Sequence, residues 1–439
     1  MLEKAQSIGA EKAFLVGLYT REDIDEPELS LNELASLTEA AGGVVVGRLY
    51  QRRAGRDGTP EAINPATYIG RGKAEHVGNL ASDLEAKVVV FDNELSPAQI
   101  RELEKIVGCK VIDRSELILD IFANRARSRA SKLQVELAQL QYTAPRLRGM
   151  WTHLERQAGT GGASMAIGMR GPGEKQIEID RRIVDQRISK LRNELARLHK
   201  RKEREVKVRN SKAFTVGLVG YTNAGKSTLM NALTDADAYT ADKLFATLDT
   251  KTRRWAVGPG TEIALSDTVG FVRKLPHHLV ASFRSTLEEA LNADLLLHII
   301  DASHPQALSQ VETVERVLAD LDCDLSRVVP VLNKIDNLLD EDAVVHLRSR
   351  LSFSVSVSAL TGQGLDELVK AVANRRRQEW LELRIEAPAG NGRVQALVRS
   401  RGLIKHERFD GDRWIADIEM PRASVPALRQ ESGVSVEEL

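Results

Sequence analysis

The chain has 439 residues, which suggests about three domains of roughly 150 residues each. Its 62 basic side chains balance 62 acidic ones, which excludes a uniformly basic nucleic-acid coat protein and an acidic disordered chain. The two cysteines, Cys109 and Cys323, are too few for a disulfide framework or a zinc site, and no apolar run approaches the roughly 18 residues of a membrane span. We therefore expect a soluble, cytoplasmic protein; we also expect a monomer.

The first 120 residues alternate short apolar strands with helical stretches. The predicted strands are Ala13–Leu18, Val44–Leu49, Lys87–Asp92 and Lys110–Asp113, and the predicted helices are Leu29–Ala41, Gly72–Leu84 and Ser96–Val107. Such alternation predicts a parallel α/β layer, so residues 1–120 are assigned to an N-terminal α/β domain. Within it, Gly70-Arg71-Gly72-Lys73 fits either a phosphate-binding turn or a plain strand-to-helix turn, because it lacks the full dinucleotide pattern.

Residues 121–209 contain two long heptad patterns. The first has Ala126, Ala130, Leu133, Leu137 and Leu140, spaced 4, 3, 4, 3; the second has Ile177, Val184, Ile188, Leu191, Leu195 and Leu198, spaced 7, 4, 3, 4, 3. Because each seam is short, an antiparallel helical hairpin is the economical way to bury both. The connection over residues 145–173 holds seven glycines, which predicts a mobile loop.

The same segment carries a large positive charge. Its 21 basic and 9 acidic side chains give a net charge of +12, offset by −7 in residues 1–120, −3 in residues 210–377 and −2 in residues 378–439. A solvated coiled coil and a phosphate-contacting arm are both consistent with this charge, and its size favours the arm. Tyr142 and Trp151 are the only stacking candidates, which suits backbone binding better than base stacking. The candidate RNA contacts are Arg146, Arg148, Arg156, Arg170, Arg181 and Arg182.

A phosphate-binding motif follows in residues 210–377. The buried strand Phe214–Val219 runs into G-x-x-x-x-G-K-S, in the strand–loop–helix context that the motif needs. The predicted nucleotide-binding residues are Gly220, Tyr221, Thr222, Asn223, Ala224, Gly225, Lys226, Ser227 and Thr228. The glycines let backbone N–H groups face the β-phosphate, Lys226 places a cation between the β- and γ-phosphates, and the Ser227 hydroxyl ligates magnesium.

Three later strand ends complete a guanine-nucleotide set. Asp267 ends one strand and suits the magnesium shell, and Gly270 lets its N–H approach the γ-phosphate. Asp336, in the sequence Asn333-Lys334-Ile335-Asp336, can accept from guanine N1–H and the exocyclic amine, donors that adenine does not present. Lys334 can lie over the purine ring. The backbone N–H groups of Ser358 and Ala359 can read guanine O6.

This order of motifs resembles the translation-factor-related GTPases. Leu244–Asp249 resembles the first switch of the Obg/HflX group, and Gly171–Gln176 is similar to the HflX signature, as are Phe91–Leu95 and Leu133–Tyr142. The resemblance implies that Thr247 closes on magnesium and the γ-phosphate, with Thr250 or Thr252 as the alternative. It also implies a large-ribosomal-subunit partner, a role in splitting or rescuing stalled ribosomes, and a loop that reaches ribosomal RNA near the peptidyl transferase centre.

Phe271 departs from the best-known GTPases. It follows Gly270, where a glutamine that orients the attacking water would be expected, and phenylalanine cannot do this. Hydrolysis is therefore expected to be slow alone and to depend on a partner or an ion. Asn223 resembles the asparagine of potassium-activated relatives, which makes potassium a candidate cofactor beside magnesium; a loop-structuring hydrogen bond is the alternative.

The last segment, residues 378–439, reads β-α-β-β-α. Leu381–Glu386 and Leu403–Phe409 are strand-like, Asp410-Gly411 turns the chain into Arg413–Met420, and Arg422–Glu431 is helical in pattern. This small α+β domain shows no catalytic set, so a docking or packing role is expected.

The whole sequence predicts an α/β protein in which a Ras-like P-loop GTPase domain lies between an α/β domain with a basic hairpin and a small α+β domain. We expect a GTP-hydrolysing switch. One alternative is an ATP-driven RNA-remodelling enzyme with a second nucleotide site near Gly70–Lys73. Another is a non-enzymatic binding module in which GTP is a structural ligand.

Overall fold

The computed structural model describes residues 11–20, 27–53, 63–158, 172–210, 213–234, 245, 251–258, 261–273, 293–338, 342–351 and 353–439. The chain divides into two compact units. The first holds residues 1–196 with short segments at 243–246 and 275–282, and the second holds the rest. The finer division into four segments remains a prediction. Among the described helices, none is both long and apolar enough to cross a membrane.

The first unit begins with a four-stranded parallel sheet of order β2-β1-β3-β4. The strands are β1 Lys12–Thr20, β2 Val44–Arg53, β3 Val88–Phe91 and β4 Lys110–Asp113, and the helices are α1 Pro27–Ala40, α2 Arg71–Asp83, α3 Pro97–Val107 and α4 Arg114–Arg125. β3 is buried at all four positions, as expected for a parallel strand covered on both faces. The predicted parallel α/β layer is confirmed, and the structure adds α4.

Helix α3 begins and ends where its sequence indicates. Ser96 caps it: its Oγ accepts from the Gln99 N–H, and the Gln99 side chain accepts from the Ser96 N–H. Pro97 occupies the first turn, and Gly108 ends the helix with a left-handed φ of 80°.

The basic segment forms two long helices, α5 Arg129–Ala158 and α6 Pro172–Asn210. Two expectations need correction. Ala126 is the C-cap of α4 rather than the start of the first heptad helix. The loop predicted from Pro145 begins later, because α5 continues to Ala158. The apolar period continues through positions 147, 151, 154 and 158, which favours a longer helix even though Pro145 lacks a backbone donor and its ring crowds the preceding turn.

The two helices pack as an antiparallel hairpin. Leu137, Ile188, Leu191 and Leu195 are buried in one seam, joined by Leu133, Leu140 and Val184. Arg129 pairs with Glu194, and Arg187 pairs with Glu136 at 2.6 Å, so early residues of α5 meet late residues of α6. The predicted heptad positions thus form the seam.

The second unit contains a six-stranded sheet of order β10-β9-β8-β5-β7-β6, parallel except for the edge strand β6. Its strands are β5 Thr215–Gly220, β6 Lys251–Gly258, β7 Thr261–Asp267, β8 Leu295–Asp301, β9 Val328–Asn333 and β10 Val355–Ser356; its helices are α7 Lys226–Thr234, α8 Ala307–Asp320, α9 Asp342–Arg350 and α10 Leu365–Glu379. The carboxyl ends of the parallel strands therefore meet at one edge, where ligands bind in open α/β sheets.

The chain ends in an antiparallel sheet of order β12-β13-β11-β14. It comprises β11 Trp380–Pro388, α11 Gly392–Arg401, β12 Leu403–Asp410, β13 Arg413–Pro421, α12 Val425–Arg429 and β14 Ser435–Glu438. The predicted hairpin turn is present at Gly411. The helix predicted over Arg422–Glu431 is shorter: a 3-10 turn precedes α12, whose Pro426 lies in the first turn. β14 was not predicted and pairs with β11.

Candidate nucleotide site

The loop between β5 and α7 has the backbone conformation of a phosphate cradle. Gly220, Asn223 and Gly225 have φ values of 148°, 61° and 93°. A Cβ at Gly220 would lie 2.3 Å from the Ile299 carbonyl oxygen, and one at Gly225 would lie 2.3 Å from Asn333 Nδ2. Both positions therefore require glycine for conformation and for space.

Lys226 is folded back onto this loop. Its Nζ donates to the carbonyl oxygens of Gly220 at 3.0 Å and Tyr221 at 2.7 Å. Burial lowers the pKa of Lys226 to about 8, against the opposing influence of Asp267. Burial also lowers the pKa of nearby His298 to about 3, so this histidine is neutral at physiological pH. The positive charge beneath the loop is thus carried by Lys226.

The strand end after β7 pairs with the phosphate loop. The Phe271 N–H donates to the Gly220 oxygen at 3.1 Å, and the Thr222 N–H donates to the Phe271 oxygen at 2.7 Å. A Cβ on Gly270 would lie 2.8 Å from Thr222 Cα and 2.9 Å from Lys226 Nζ. Two of the predicted catalytic residues, Lys226 and Gly270, are thereby brought together.

A hydroxyl and a carboxylate meet where magnesium is expected. Ser227 Oγ donates to Asp267 Oδ2 at 2.6 Å, at the start of α7 and the end of β7. Both are hard oxygen ligands of the kind that magnesium prefers, so this pair fits the ion. Thr222 Oγ1 is buried and lacks a hydrogen-bond partner among the described residues, which fits a ligand beside the loop.

Two of the three threonines considered for the first switch lie outside the residues that the structure describes. Thr247 and Thr250 lie outside the described residues. Thr252 lies in β6, where its hydroxyl is 2.9 Å from Ser266 Oγ on the neighbouring strand. The role of Thr247 therefore remains a prediction.

Asn333 joins the two loops that should enclose the base. Its Nδ2 donates to the Ala224 oxygen at 2.8 Å, and its Oδ1 accepts from the Ala359 N–H at 3.0 Å. Asp336 accepts a hydrogen bond from the Ser358 hydroxyl. Four of the five residues predicted around guanine are thus hydrogen-bonded in two pairs across these loops, and Asn333 also bonds to the phosphate loop. The sequence assigned Asn333 to the site without indicating this bridging role.

Two residues of this region, Asp301 and Gly364, were not singled out in the sequence. Lys334, with a left-handed φ of 63°, pairs with Asp301 at 2.7 Å, and Asp301 also accepts from the Ser303 hydroxyl at 2.6 Å. A Cβ on Gly364 would lie 2.1 Å from the Ser356 oxygen. The position of Asp301 at the end of β8 was the available signal, since parallel strand ends meet at the site.

Phe271 is only 2% exposed. It packs with Val219, Tyr221, Leu296 and Val314. The Tyr221 hydroxyl accepts from the Arg273 N–H at 2.8 Å, a further link between the loop and this segment. The side chain of Phe271 is therefore a core residue rather than a group that faces an attacking water.

The remaining predicted residues are placed as follows. Thr228 lies in the first turn of α7. Arg182 is exposed on α6; Arg146, Arg148 and Arg156 lie in α5 and Arg181 in α6, with side chains outside the described part; and Arg170 lies outside the described residues. Tyr142 is no stacking candidate, because it is 5% exposed and its hydroxyl donates to Asp113 at 2.7 Å.

The Gly70–Lys73 segment is a plain start of a helix. Gly70 is the N-cap of α2, and its oxygen accepts from the N–H groups of Lys73 and Ala74, both at 3.0 Å. An isolated Asn64–Tyr68 bridge precedes it instead of a strand, so the strand–loop–helix context of a nucleotide site is missing.

A glycine-dependent phosphate loop, a hydroxyl–carboxylate pair for magnesium and two connected base loops lie together at the carboxyl edge of a mainly parallel sheet. Together they define a P-loop GTPase.

Comparison with known proteins agrees over most of the chain. Three family models match in succession: GTP-binding GTPase N-terminal over residues 28–123, GTP-binding GTPase Middle Region over 125–209, and 50S ribosome-binding GTPase over 215–334. GTPase HflX of Lacrimispora saccharolytica is 43% identical over 416 residues, 94% of each chain. GTPase HflX of Escherichia coli K12 is 42% identical over 414 residues, again 94% of each chain. A GTP-binding protein of Sulfolobus solfataricus in complex with GDP is 24% identical, with a TM-score of 0.42 over 84% of this chain and 99% of that one.

The chain belongs to the HflX family of GTPases. It is a GTP-hydrolysing enzyme, and GTPases of this family require magnesium. The recognised family, the fold class and the enzyme class are confirmed, and the non-enzymatic alternative is wrong.

Proposed function

We propose that the protein is a GTP-controlled switch that binds the large ribosomal subunit and splits or rescues stalled ribosomes. The observation that carries this proposal is the union of a GTP site with a segment, residues 121–209, whose net charge is +12. The family model over residues 215–334 is described as a 50S ribosome-binding GTPase, which supports the same partner. A ribosomal partner implies action in the cytoplasm.

The hairpin of α5 and α6 is suited to reach RNA. The two helices have 30 and 39 residues, or about 45 and 58 Å at 1.5 Å per residue. The antiparallel seam and the Arg187–Glu136 ion pair hold them together. We expect the arginines at and near its tip, from Arg146 to Arg182, to contact phosphates, and the connecting segment to approach RNA near the peptidyl transferase centre.

The nucleotide would control this contact. Ser227 and Asp267 would hold magnesium, which when bound neutralises charge on the β- and γ-phosphates. Thr247 and Gly270 would contact the γ-phosphate and so distinguish GTP from GDP. Because Phe271 is buried and cannot orient water, hydrolysis should be slow alone and faster on the ribosome.

Sedimentation with purified large subunits tests partner and switch together. More protein should co-sediment with a non-hydrolysable GTP analogue than with GDP, and subunits should strongly stimulate GTP turnover. Substituting Arg146, Arg148 and Arg156 with alanine should remove that stimulation and leave basal turnover intact. Equal turnover with and without ribosomes would contradict the proposal.

Potassium is a second proposed cofactor. Asn223 has the left-handed conformation at the loop position that resembles potassium-activated relatives. If the ion assists, turnover should be faster in potassium than in sodium buffer, and Asn223→Ala should abolish the difference. Equal rates in the two buffers would sink this idea.

A further inference from the structure

We propose that the base of the hairpin carries a second RNA-binding surface, separate from the tip. This basal patch consists of Arg125, Arg127, Arg129 and Lys132, and its partner is the phosphate backbone of folded RNA. The inference rests on the proposed function for the identity of that RNA. The net charge of the arm does not show which of its residues contact RNA, and this inference assigns one contact site to its base.

The basal patch lies within eight consecutive residues, and most of it is exposed. Arg125 ends α4, Arg129 begins α5, and Lys132 lies in the first turn of α5. Arg127, Arg129 and Lys132 are exposed and Arg125 is half-buried. No acidic residue occurs between Asp120 and Glu136, so the sequence around these four cations supplies no acid for at least three residues on either side.

The dipole of α4 favours Arg125 in its last turn, but helix stability does not explain Arg129 and Lys132. The first turn of α5 has no acidic residue, although the positive end of a helix dipole favours acids and disfavours cations. The cap is already made by Ser128, whose Oγ accepts from the Ser131 N–H at 3.1 Å. Arg129 and Lys132 therefore stand against the local field, which an external anion would relieve.

Nearby acids pair with only one of the four cations, Arg129. Glu194 pairs with Arg129, and Glu136 pairs with Arg187. Within the described part of the chain, Arg125, Arg127 and Lys132 form no ion pair. Even when paired, the Arg129 side chain is 76% exposed. Three cations thus remain for a partner.

The surroundings favour phosphates over unstacked bases. Phe122 and Tyr142, the aromatic residues of α4 and of this part of α5, are 1% and 5% exposed. A surface of cations without accessible aromatic rings binds RNA through its backbone and not by stacking. An acidic protein is the other possible partner, and the experiment below separates the two.

The two helices that carry the patch are hydrogen-bonded to the end of β4. Asp113, at the end of β4, accepts from the Tyr142 hydroxyl at 2.7 Å, from the Glu116 N–H at 2.9 Å and from the Leu95 N–H at 3.1 Å. These bonds tie the middle of α5 to the end of β4 and the start of α4. From Arg129 to the far end of α5 the distance is about 45 Å, so an RNA contact at the base would be well separated from one at the tip.

The test compares two variants with the same charge change. One carries Arg125→Gln, Arg127→Gln and Lys132→Gln, which spares the Arg129–Glu194 pair. The control carries Arg401→Gln, Arg408→Gln and Arg429→Gln, three exposed cations of the C-terminal domain. Binding to large subunits and to deproteinised large-subunit RNA is measured over a range of salt concentrations, together with basal GTP turnover and thermal unfolding.

Loss of three phosphate contacts should reduce the slope of log affinity against log salt by about 2–3, and weaken low-salt binding at least about tenfold. Basal turnover and unfolding should not change, and the control should bind like the unmodified protein. Equal losses in both variants, or none in the patch variant, would overturn the proposal. So would a loss on intact subunits but not on naked RNA, which would indicate an acidic protein partner. If the unmodified protein binds naked RNA but not subunits, the proposed ribosomal role is wrong. The comparison of the two variants on naked RNA then still supports or overturns the patch.

Discussion

Asn333 should be the residue on which the integrity of the nucleotide site depends most. Its amide is 1% exposed and spans from the Ala224 oxygen, at 2.8 Å, to the Ala359 N–H, at 3.0 Å. Asn333→Ala leaves both partners buried without these bonds, at about 1–3 kcal/mol each. Nucleotide binding needs both loops in place, so the loss should appear as weaker GDP binding. Two lost bonds give about 2–6 kcal/mol, and with tenfold per 1.4 kcal/mol GDP affinity should fall at least about 30-fold.

The assay is equilibrium titration with a fluorescent GDP analogue. Asn337→Ala is the matched control, since Asn337 lies four residues along the same loop and is exposed. It should bind GDP as the unmodified protein does. Asn333→Asp keeps an acceptor for Ala359 but sets a carboxylate oxygen against the Ala224 oxygen, so it should be at least as weak as Asn333→Ala. The reasoning is refuted if Asn333→Ala, with normal tryptophan fluorescence, binds GDP as tightly as Asn337→Ala.

Three further changes have defined outcomes. Gly270→Ala would place a methyl group 2.8 Å from Thr222 Cα. The rate of single-turnover GTP hydrolysis should therefore fall about 100-fold, with a smaller effect on GDP binding. An unchanged hydrolysis rate would contradict this prediction. Because the pKa of Lys226 is lowered to about 8, its ammonium is present below that pH, and GTP binding above pH 8 requires proton uptake. GTP affinity should therefore weaken as pH rises above 8. Calorimetry in buffers of different ionisation heat measures the proton uptake, and finding no uptake above pH 8 would refute the prediction. Arg376→Ala would remove the buried ion-pair partner of Glu419, which would still pair with Lys405 at 2.7 Å. In urea unfolding, this change should lower the stability of the second unit by about 3 kcal/mol. The control Arg413→Ala, at an exposed ion pair, should lower it by less than about 1 kcal/mol.

The contact between Arg376 and Glu419 bears on how the C-terminal domain is attached. Arg376 lies in α10 and Glu419 in β13, and Trp380 at the start of β11 packs in the core of the six-stranded sheet. Within the second unit, the small domain is therefore continuous with the sheet that carries the nucleotide site. The sequence suggested a docking or packing role, and this packing is consistent with it.

Local sequence was sufficient to predict the structure at positions where only one residue type fits the backbone. Gly220 and Gly225 need positive φ and leave no room for a Cβ, so the phosphate loop could be read directly from the sequence. The same holds for Ser96-Pro97, which places the start of α3. Heptad spacing likewise predicted the seam of α5 and α6.

Prediction failed where distant contacts or weak signals decide. β14 pairs with β11 about fifty residues earlier, and no local pattern in Ser435–Glu438 indicates that pairing. The extension of α5 past Pro145 was missed because proline and glycine outweighed a continuing apolar period. Tyr142, counted as a stacking candidate, is held inside by Asp113, a residue 29 positions away.

By itself, then, the sequence determined the nucleotide, the fold class and the charged arm, because phosphate loops, strand ends and heptads are local patterns of a few residues. Only the tertiary structure decided how these parts are joined. Asn333 bridges two loops, Phe271 packs in the core beside the phosphate loop, and Arg125, Arg127 and Lys132 form no ion pair within the described part of the chain. These features depend on which distant segments meet, and burial and hydrogen-bond satisfaction across the whole fold decide that.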